Sequence, residues 1–261
     1  MKFTRERIIL LIIFISILSI VIFFTFNKEK QIAFVINVID GDTIEIETGE
    51  KVRLLGINAP ENGDKYYEKA KEELKYLVLN KYVLLEKIKD NKDKYGRLLR
   101  IIFLNNTNVN KEMIKNGLAL PYILNSNFKY TFDFENAFKD CIKENIGLCE
   151  KSENPCKNCI KILKINAIEK NSLNDEYVEI KNLCNFSCNI SKWKIHDSAW
   201  NTFIFNHSLE SNSSLILYTG YGYNTKNIFY WNSGFPIWNN NYDIVYLRDE
   251  KGKLVDYFII K

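Results

Sequence analysis

The chain has 261 residues, which is enough for two small domains or one large one. Its apolar fraction of 46% and charged fraction of 26% are those of an ordinary globular protein, so a chain that is disordered throughout is excluded. The formal net charge is only +4, from 36 basic and 32 acidic residues. The net charge therefore neither indicates nor excludes a nucleic-acid partner.

The N-terminal segment predicts a membrane anchor. Residues 8–26 form an uncharged apolar run, interrupted only by two serines and one threonine, and basic residues precede it. Such a run nearly spans a hydrocarbon core as a helix, and the preceding charges favour a cytoplasmic N-terminus. No small-residue cleavage site follows, so an uncleaved signal anchor over residues 1–29 is favoured over a cleaved signal or a buried helix. We therefore expect a single-pass protein of the cell membrane with the rest of the chain outside, or a secreted one if the signal is cleaved.

Six cysteines lie within 48 residues near the middle of the chain: Cys141, Cys149, Cys156, Cys159, Cys184 and Cys188. An even number in an exported chain favours disulfides, whose connectivity the sequence leaves open. The rival interpretation is Zn²⁺, because Cys156-x-x-Cys159 and Cys184-x3-Cys188 have the spacing of metal ligands.

From residue 31 to about 147 the apolar pattern predicts a small barrel of five strands with three helices. Strand-like runs separated by turn residues fall at 32–39, 43–47, 51–57, 82–87 and 98–104. Helical spacing predicts one helix at about 65–80, a second that starts near Val109 and ends at Gly117, and a third that ends near Gly147. This order suits an OB-type barrel with helices packed on it.

Beyond a loop-like stretch at 151–159 the chain predicts only strands. They are expected at 160–165, 177–181, 193–196, 202–205, 214–219, 244–248 and 254–259. Seven short strands in about 100 residues indicate a β-sandwich. The predicted organisation is thus an anchor at 1–29, a barrel domain at 30–150, a cysteine-containing linker at 151–159 and a sandwich at 160–261.

Charged side chains concentrate in three turn-like segments of the predicted barrel. They are residues 40–43 (Asp-Gly-Asp-Thr), 53–61 (Arg-Leu-Leu-Gly-Ile-Asn-Ala-Pro-Glu) and 93–97 (Asp-Lys-Tyr-Gly-Arg). Each alone is most simply a turn or a solvated loop. Strand alternation, however, places Arg53 on one face with Leu55 and Ile57, where an arginine needs an anionic partner nearby.

Together the three segments supply what hydrolysis of a phosphodiester requires. Oxygen atoms of Asp42 and Asn58 are ligands that a hard cation prefers. Two arginines suit the paired oxygens of a phosphate. A carboxylate just after a rigid proline, Glu61, can orient or deprotonate an attacking water.

In this order and spacing, the three segments resemble the marks of the staphylococcal-type nuclease (thermonuclease) family over residues 31–147. The resemblance implies an OB-type five-stranded barrel with three helices. It also implies Ca²⁺ held by Asp42, Asn58 and the backbone carbonyl of Ala59, with Asp40 acting through bound water. Catalysis would fall to Arg53, Glu61 and Arg97, and substrate binding to Lys94 and Tyr95.

The departure from the family pattern is Asn58, which stands where many relatives have an aspartate. An amide oxygen still coordinates calcium, but the loss of a charge is expected to weaken the site. The neighbouring Ala59 replaces a threonine that contributes only its backbone carbonyl, so that change matters little.

The second half resembles a lamin-tail-type domain over about residues 160–261. The resemblance is carried by 174–182 (Asn-Asp-Glu-Tyr-Val-Glu-Ile-Lys-Asn), Trp193 and 217–220 (Leu-Tyr-Thr-Gly), and continues through 238–249. It implies an immunoglobulin-like sandwich and leaves the partner of this domain open.

The sequence therefore predicts a membrane-anchored extracytoplasmic nuclease that cuts DNA, RNA or both with calcium and little sequence preference. The alternative is a non-catalytic nucleic-acid or surface-binding protein built from the barrel and an adhesion module, and Asn58 is the feature that favours it.

Overall fold

A computed structural model describes residues 12–16, 30–88, 91–167 and 173–261. Of the predicted membrane-spanning run, only residues 12–16 are among these, and they are helical. The rest of the predicted anchor lies outside the described residues. In the part of the chain that is described, no helix has the length and apolar character needed to cross a membrane.

The region from residue 30 to 150, the barrel region, contains eight strands. They are β1 Lys30–Val38, β2 Thr43–Ile46, β3 Lys51–Leu54, β4 Ile57–Asn58, β5 Tyr82–Glu86, β6 Leu98–Leu104, β7 Thr107–Asn108 and β8 Leu120–Pro121. The sheet order β3-β2-β1-β5-β6 closes on itself because β3 also pairs with β6, in parallel. The predicted five-stranded barrel is confirmed.

One predicted strand is divided. The sequence suggested a continuous strand over 51–57, but β3 ends at Leu54 and β4 begins at Ile57. Gly56, between them, has a φ of +79°, a left-handed conformation that breaks an extended strand. After this turn β4 pairs with β8 instead, with Asn58 opposite Leu120. The break therefore moves Asn58 out of the β3 strand and changes its strand partner to β8.

Three α-helices cover the barrel: α1 Tyr67–Val78, α2 Val109–Lys115 and α3 Thr131–Glu144. In α1 the buried residues Ala70, Leu74 and Val78 recur at helical spacing and face the barrel core. Gly117 has a φ of +66° directly after α2, as its predicted role requires. The three predicted helices are confirmed.

The region from residue 160 to 261, the two-sheet region, holds ten strands. They are β9 Ile160–Asn166, β10 Tyr177–Asn182, β11 Cys188–Asn189, β12 Lys194–His196, β13 Thr202–Ile204, β14 Ser208–Leu209, β15 Ser214–Tyr218, β16 Ile228–Tyr230, β17 Asp243–Arg248 and β18 Leu254–Ile260. Two four-stranded sheets, β16-β15-β10-β9 and β13-β12-β17-β18, share one buried core around Trp193. All seven predicted strands are present. The three that the sequence analysis missed (β11, β14 and β16) have only two or three residues each, too few to show a periodicity.

The two regions meet through a packed apolar interface. The ring of Phe138 on α3 lies edge-on to Tyr246 and Tyr257, with centroids 5.6 and 5.3 Å apart. Within this interface the Tyr242 hydroxyl donates to Glu135 at 3.0 Å. Contacts of this kind resemble a domain core more than a flexible junction. The domain boundary at 151–159 stays a prediction.

All six cysteines are paired, as Cys141–Cys149, Cys156–Cys188 and Cys159–Cys184. The structure therefore favours disulfides over the zinc interpretation. The last two pairs are close neighbours, since the Cys184 and Cys188 sulfur atoms lie 3.8 Å apart.

This pairing predicts the outcome of a thiol titration under denaturing conditions. We expect essentially no reactive thiol before reduction, and six per chain after it, because every sulfur is in a disulfide. Metal analysis of the same sample is expected to give no stoichiometric zinc. Four reactive thiols before reduction together with one zinc per chain would contradict the pairing of the four neighbouring cysteines.

Candidate active site

The turn at residues 40–43 places one carboxylate in the barrel wall. The backbone N–H of Asp42 donates to Asp40 Oδ1 at 3.0 Å, which fixes the turn. Gly41 is required there, because a Cβ atom would lie 2.7–2.8 Å from the side chains of Ala59 and Ala70. The Asp42 side chain is consequently buried, with 6% of its surface exposed, and Asp40 is half-buried.

Strand alternation predicted that Arg53 needs an anionic partner nearby. Asp42 is that partner. The two side chains form an ion pair at 2.9 Å. The register of β2 and β3 explains the contact, since Thr43 lies opposite Arg53. The same Nη2 atom of Arg53 also donates to Asn58 Oδ1 at 2.9 Å. Its Nη1 atom donates to the carbonyls of Leu54 and Ile57.

Most donors of Arg53 are therefore engaged inside the protein. A guanidinium has five N–H donors. Four bonds from the two terminal nitrogens, to Leu54, Ile57, Asn58 and Asp42, leave only the Nε–H. The expected role of Arg53 as a phosphate ligand is thus limited to one donor in this arrangement.

Burial decides the protonation of Asp42. Loss of solvent raises the pKa of Asp42 to about 6, although the Arg53 guanidinium opposes the rise, and the neighbouring Asp40 adds to it. Hydrogen bonds from Ala59 N–H at 2.9 Å and Thr43 Oγ at 3.0 Å also stabilise the carboxylate. At neutral pH the Asp42 carboxylate is ionised, although burial makes its charge unfavourable. Binding of a cation beside it is therefore favoured.

Glu61 lies at the edge of this cluster. It follows Pro60 directly, and its backbone N–H donates to Asp64 Oδ2 at 3.2 Å. Its side chain is exposed and has no hydrogen-bond partner among the described residues. Glu61 is therefore free to approach a molecule bound at the site.

The third segment forms a tight loop before β6. The carboxylate of Asp93 accepts the backbone N–H groups of Tyr95 and Arg97, and the Arg97 Nε–H at 2.7 Å. Burial opposes ionisation, but the hydrogen bonds from Arg97 lower the pKa of Asp93 overall. The sequence analysis did not single out Asp93, although an aspartate two residues before a turn position is a recognisable signal.

Arg97 directly precedes β6, the strand that pairs in parallel with β3. In that register Arg53 is opposite Leu99, two residues after Arg97. Within the described residues, only the Nε–H of Arg97 is hydrogen-bonded, so its terminal nitrogens keep four donors free. Lys94 and Tyr95 are exposed beside it, and the guanidinium lies 5.4 Å from the Tyr95 ring centroid.

An open cleft of about 590 Å³ is lined by residues that include Leu55, Leu99 and Tyr122. Burial raises the pKa of the Tyr122 hydroxyl, and the charge of Arg53 opposes that rise. Tyr122 thus lies within electrostatic range of the charged cluster. The sequence analysis missed it, because nothing in its local pattern separates it from a core aromatic.

A contact from the two-sheet region reaches the same cluster. The Asn58 Nδ2 group donates to the backbone carbonyl of Ser198 at 3.3 Å. No sequence signal predicted this contact, since the residues are 140 positions apart and a carbonyl is common to all residue types.

The structure thus brings together Asp42, Arg53, Asn58 and Ala59 in direct contact, with Asp40 adjacent. Glu61, Lys94 and Tyr95 are exposed, and Arg97 is half-buried. An OB-type barrel that carries a buried carboxylate paired with one arginine, and a second arginine directly before a neighbouring strand, belongs to a class of barrel proteins with an anion-binding surface.

Comparison with known proteins identifies the family within that class. The family model of staphylococcal nuclease homologues matches residues 51–151, and that of the Lamin Tail Domain matches residues 160–260. The chain is 34% identical to a thermonuclease of Staphylococcus hyicus over 131 residues, which cover 46% of this chain and 78% of that protein. It is 35% identical to an uncharacterized protein of Methanocaldococcus jannaschii over 164 residues, or 50% of this chain and 77% of that protein. An uncharacterized endonuclease of Haemophilus influenzae is 37% identical over 100 residues, 37% of this chain and 55% of its own length.

The chain therefore belongs to the staphylococcal nuclease family and carries a lamin tail domain after the nuclease domain.

Proposed function

We propose that this protein is a nuclease that hydrolyses phosphodiester bonds of DNA, RNA or both, with calcium as cofactor and little sequence preference. The observation that carries the proposal is the ion pair of Arg53 with the buried Asp42, together with Arg97, whose free donors directly precede the neighbouring strand β6. Contacts from arginine to phosphate carry no base information, so a general nuclease follows.

The oxygen donors at the site fit a calcium ion. Asp42 contributes a buried carboxylate whose pKa burial has raised to about 6, so a cation beside it removes an unfavourable charge. Asn58, Asp40 and the carbonyl of Ala59 are the further oxygen donors. When bound, calcium would polarise the phosphate and neutralise developing charge.

The two arginines divide the remaining work. Arg97, with four free donors, is suited to bind the phosphate in two places and to stabilise the charge that develops during cleavage. Arg53, with four internal bonds, mainly holds Asp42 and Asn58 in place and adds positive potential.

Glu61 is proposed to orient or deprotonate the attacking water. Its carboxylate is exposed and unengaged within the described part of the chain, and it lies two residues after Ala59. The cleft lined by Tyr122 is large enough for a nucleotide base. The exposed Lys94 and Tyr95 are proposed to bind the substrate next to Arg97.

We keep the membrane anchor over residues 1–29 as part of this proposal. Three disulfides are expected in an oxidising compartment, which supports a position outside the cytoplasm.

The direct test is incubation of the protein with plasmid DNA and with RNA, in millimolar calcium or in excess chelator. We expect cleavage of at least one substrate with calcium and none with chelator. If calcium yields no cleavage while nucleic acid still binds, the non-catalytic alternative replaces the enzyme.

Glu61→Gln is expected to lower kcat about 10²-fold, because the amide cannot take a proton while the shape is kept. Thermal unfolding is expected to be unchanged, since the Glu61 carboxylate has no partner in the described structure. Steady-state kinetics with a short oligonucleotide measure the effect, with Asp64→Asn as a nearby control outside the proposed chemistry. Equal losses of kcat in Glu61→Gln and Asp64→Asn would show that Glu61 affects the loop conformation and not the chemical step.

A further inference from the structure

Among the hydrogen bonds that join the lamin tail domain to the nuclease domain, one is at Asn58 of the candidate site and one is at Leu124 of the cleft. The carbonyl of Ser198 accepts the Nδ2–H of Asn58 at 3.3 Å. The Nδ2 group of Asn239 donates to the carbonyl of Leu124 at 3.1 Å. Between them, a cavity of about 160 Å³ is lined by both domains. The lamin tail domain therefore walls a cavity that shares Tyr122, Ile123 and Leu124 with the larger cleft.

A single buried carboxylate fixes both points. Asp243 accepts the backbone N–H of Ser198 on Oδ1 at 3.3 Å, and that of Asn239 on Oδ2 at 3.0 Å. Only 4% of Asp243 is exposed. The hydroxyl of Ser198 also accepts the Ile244 N–H at 3.2 Å. Ser198 and Asn239 are thus held in place relative to each other.

The loop that carries Ser198 is held from its other side as well. The carboxylate of Asp197 accepts the backbone N–H groups of Ala199 and Asn201, at 3.0 and 2.8 Å. A loop closed by both carboxylates presents the Ser198 carbonyl in one position.

An asparagine at position 58 suits this environment and an aspartate does not. Its amide accepts from Arg53 on Oδ1 and donates to Ser198 from Nδ2. These two partners determine which way the amide points. A carboxylate in the same place has no donor and faces the Ser198 carbonyl with a negative charge.

We infer that the lamin tail domain is a functional part of the nuclease site, in which the Ser198 carbonyl, held by Asp243, orients the side-chain oxygen of Asn58. Asp243 and Ser198 are positioning residues that act through Asn58. The inference rests on the proposed function, which assigns a calcium ion to this site. It explains why this chain has an amide where the family pattern has an aspartate.

Hydrogen exchange of the full chain without metal tests the contact itself. Asn58→Asp removes the donor, so amide exchange in residues 197–201 is expected to become about fivefold faster. Asp40→Asn changes a cleft carboxylate with no contact to the lamin tail domain and is expected to leave that segment unchanged. Equal exchange in the wild type and Asn58→Asp overturns the inference.

Calcium binding, measured by equilibrium dialysis, tests the consequence. Asp243→Asn deprives one backbone N–H of its acceptor and is expected to weaken calcium binding about tenfold, as loss of a residue that orients a metal ligand does. Glu176→Gln is the matched control. Glu176 is equally buried and accepts two backbone N–H groups, from Ile237 and Trp238, but contacts no residue of the nuclease domain. We expect its calcium binding to stay within about twofold of the wild type.

A double-variant comparison distinguishes a loss of Asn58 orientation from a general loss of structure. In an Asn58→Ala background, Asp243→Asn is expected to have no further effect on calcium binding, because the residue it acts through is gone. A tenfold effect that persists in this background, or equal losses in Asp243→Asn and Glu176→Gln, overturns the inference. If Asp243→Asn does not fold, the exchange comparison at Asn58 decides. Cleavage by the wild type in calcium is measured alongside, and its absence refutes the proposed function without altering either comparison of binding.

Discussion

Replacing Arg97 with alanine is expected to lower kcat about 10³-fold, within the range seen when an arginine or oxyanion donor that stabilises transition-state charge is removed. In the proposed mechanism, the four donors on the terminal nitrogens of Arg97, free among the described residues, supply most phosphate contacts, because Arg53 retains only one. KM is expected to change less than kcat, since charge grows on the phosphate during the reaction. Steady-state cleavage of a short oligonucleotide measures both constants.

Lys92→Ala provides the control for this prediction. Lys92 is a basic residue of the same loop, but it is exposed, and within the described part of the chain its only ion pair is with Glu50, at 3.4 Å. Its removal is expected to leave kcat within about twofold, because exposed ion pairs contribute little. Arg97→Lys keeps the charge without the planar fork and is expected to recover only part of the activity. Similar losses in Lys92→Ala and Arg97→Ala would mean that net charge, and not the guanidinium of Arg97, drives catalysis.

The local part of the site was predictable because it depends on neighbouring strands. Strand alternation indicated that Arg53 needs an anion, and the β2–β3 hairpin brings Asp42 to it over only eleven positions of sequence. The five strands of the barrel follow from period-two alternation, which a half-buried strand enforces. The same signal failed at Gly56, because a glycine in a run of apolar residues does not reveal whether it is extended or left-handed.

The contacts between domains were not predictable, since they depend on the shapes of two finished surfaces. The packing of Phe138 against Tyr246 and the bond from Asn58 to Ser198 each join residues more than 100 positions apart. Asn58 seemed from sequence alone to be a weakened metal ligand. The hydrogen bond to the Ser198 carbonyl gives a structural reason for an amide at this position.

Arg53→Ala is expected to lower the free energy of unfolding by about 3–5 kcal/mol at pH 8, the cost typical of removing one partner of a buried ion pair. Asp42 then keeps its charge in a buried position without the guanidinium at 2.9 Å. Asn58 loses the donor that holds its oxygen, so activity is expected to fall as well. Thermal or chemical unfolding gives the stability, and the same samples give the cleavage rate.

The loss of stability is expected to depend on pH. Burial already raises the pKa of Asp42 to about 6 with Arg53 present, and removal of Arg53 raises it further. A carboxyl group whose pKa is raised in the folded state binds a proton more tightly there than in the unfolded state. Its ionised form therefore lowers the free energy of unfolding, fully at pH values above the folded pKa and less as the pH falls below it. The difference in unfolding free energy between the wild type and Arg53→Ala is therefore expected to narrow from pH 8 to pH 5.

Arg100→Ala is the matched control for this pH dependence. Arg100 is also buried, at 6% exposure, but among the described residues its guanidinium bonds only to Asn91 and the Leu99 carbonyl and forms no ion pair with a carboxylate. Its removal costs hydrogen bonds and packing without stranding a charge, so its loss of stability is expected to stay nearly constant over the same pH range. If both variants lose stability in parallel from pH 8 to pH 5, the ion pair with Asp42 is not what Arg53 contributes, and its bonds to the Leu54 and Ile57 carbonyls account for the effect.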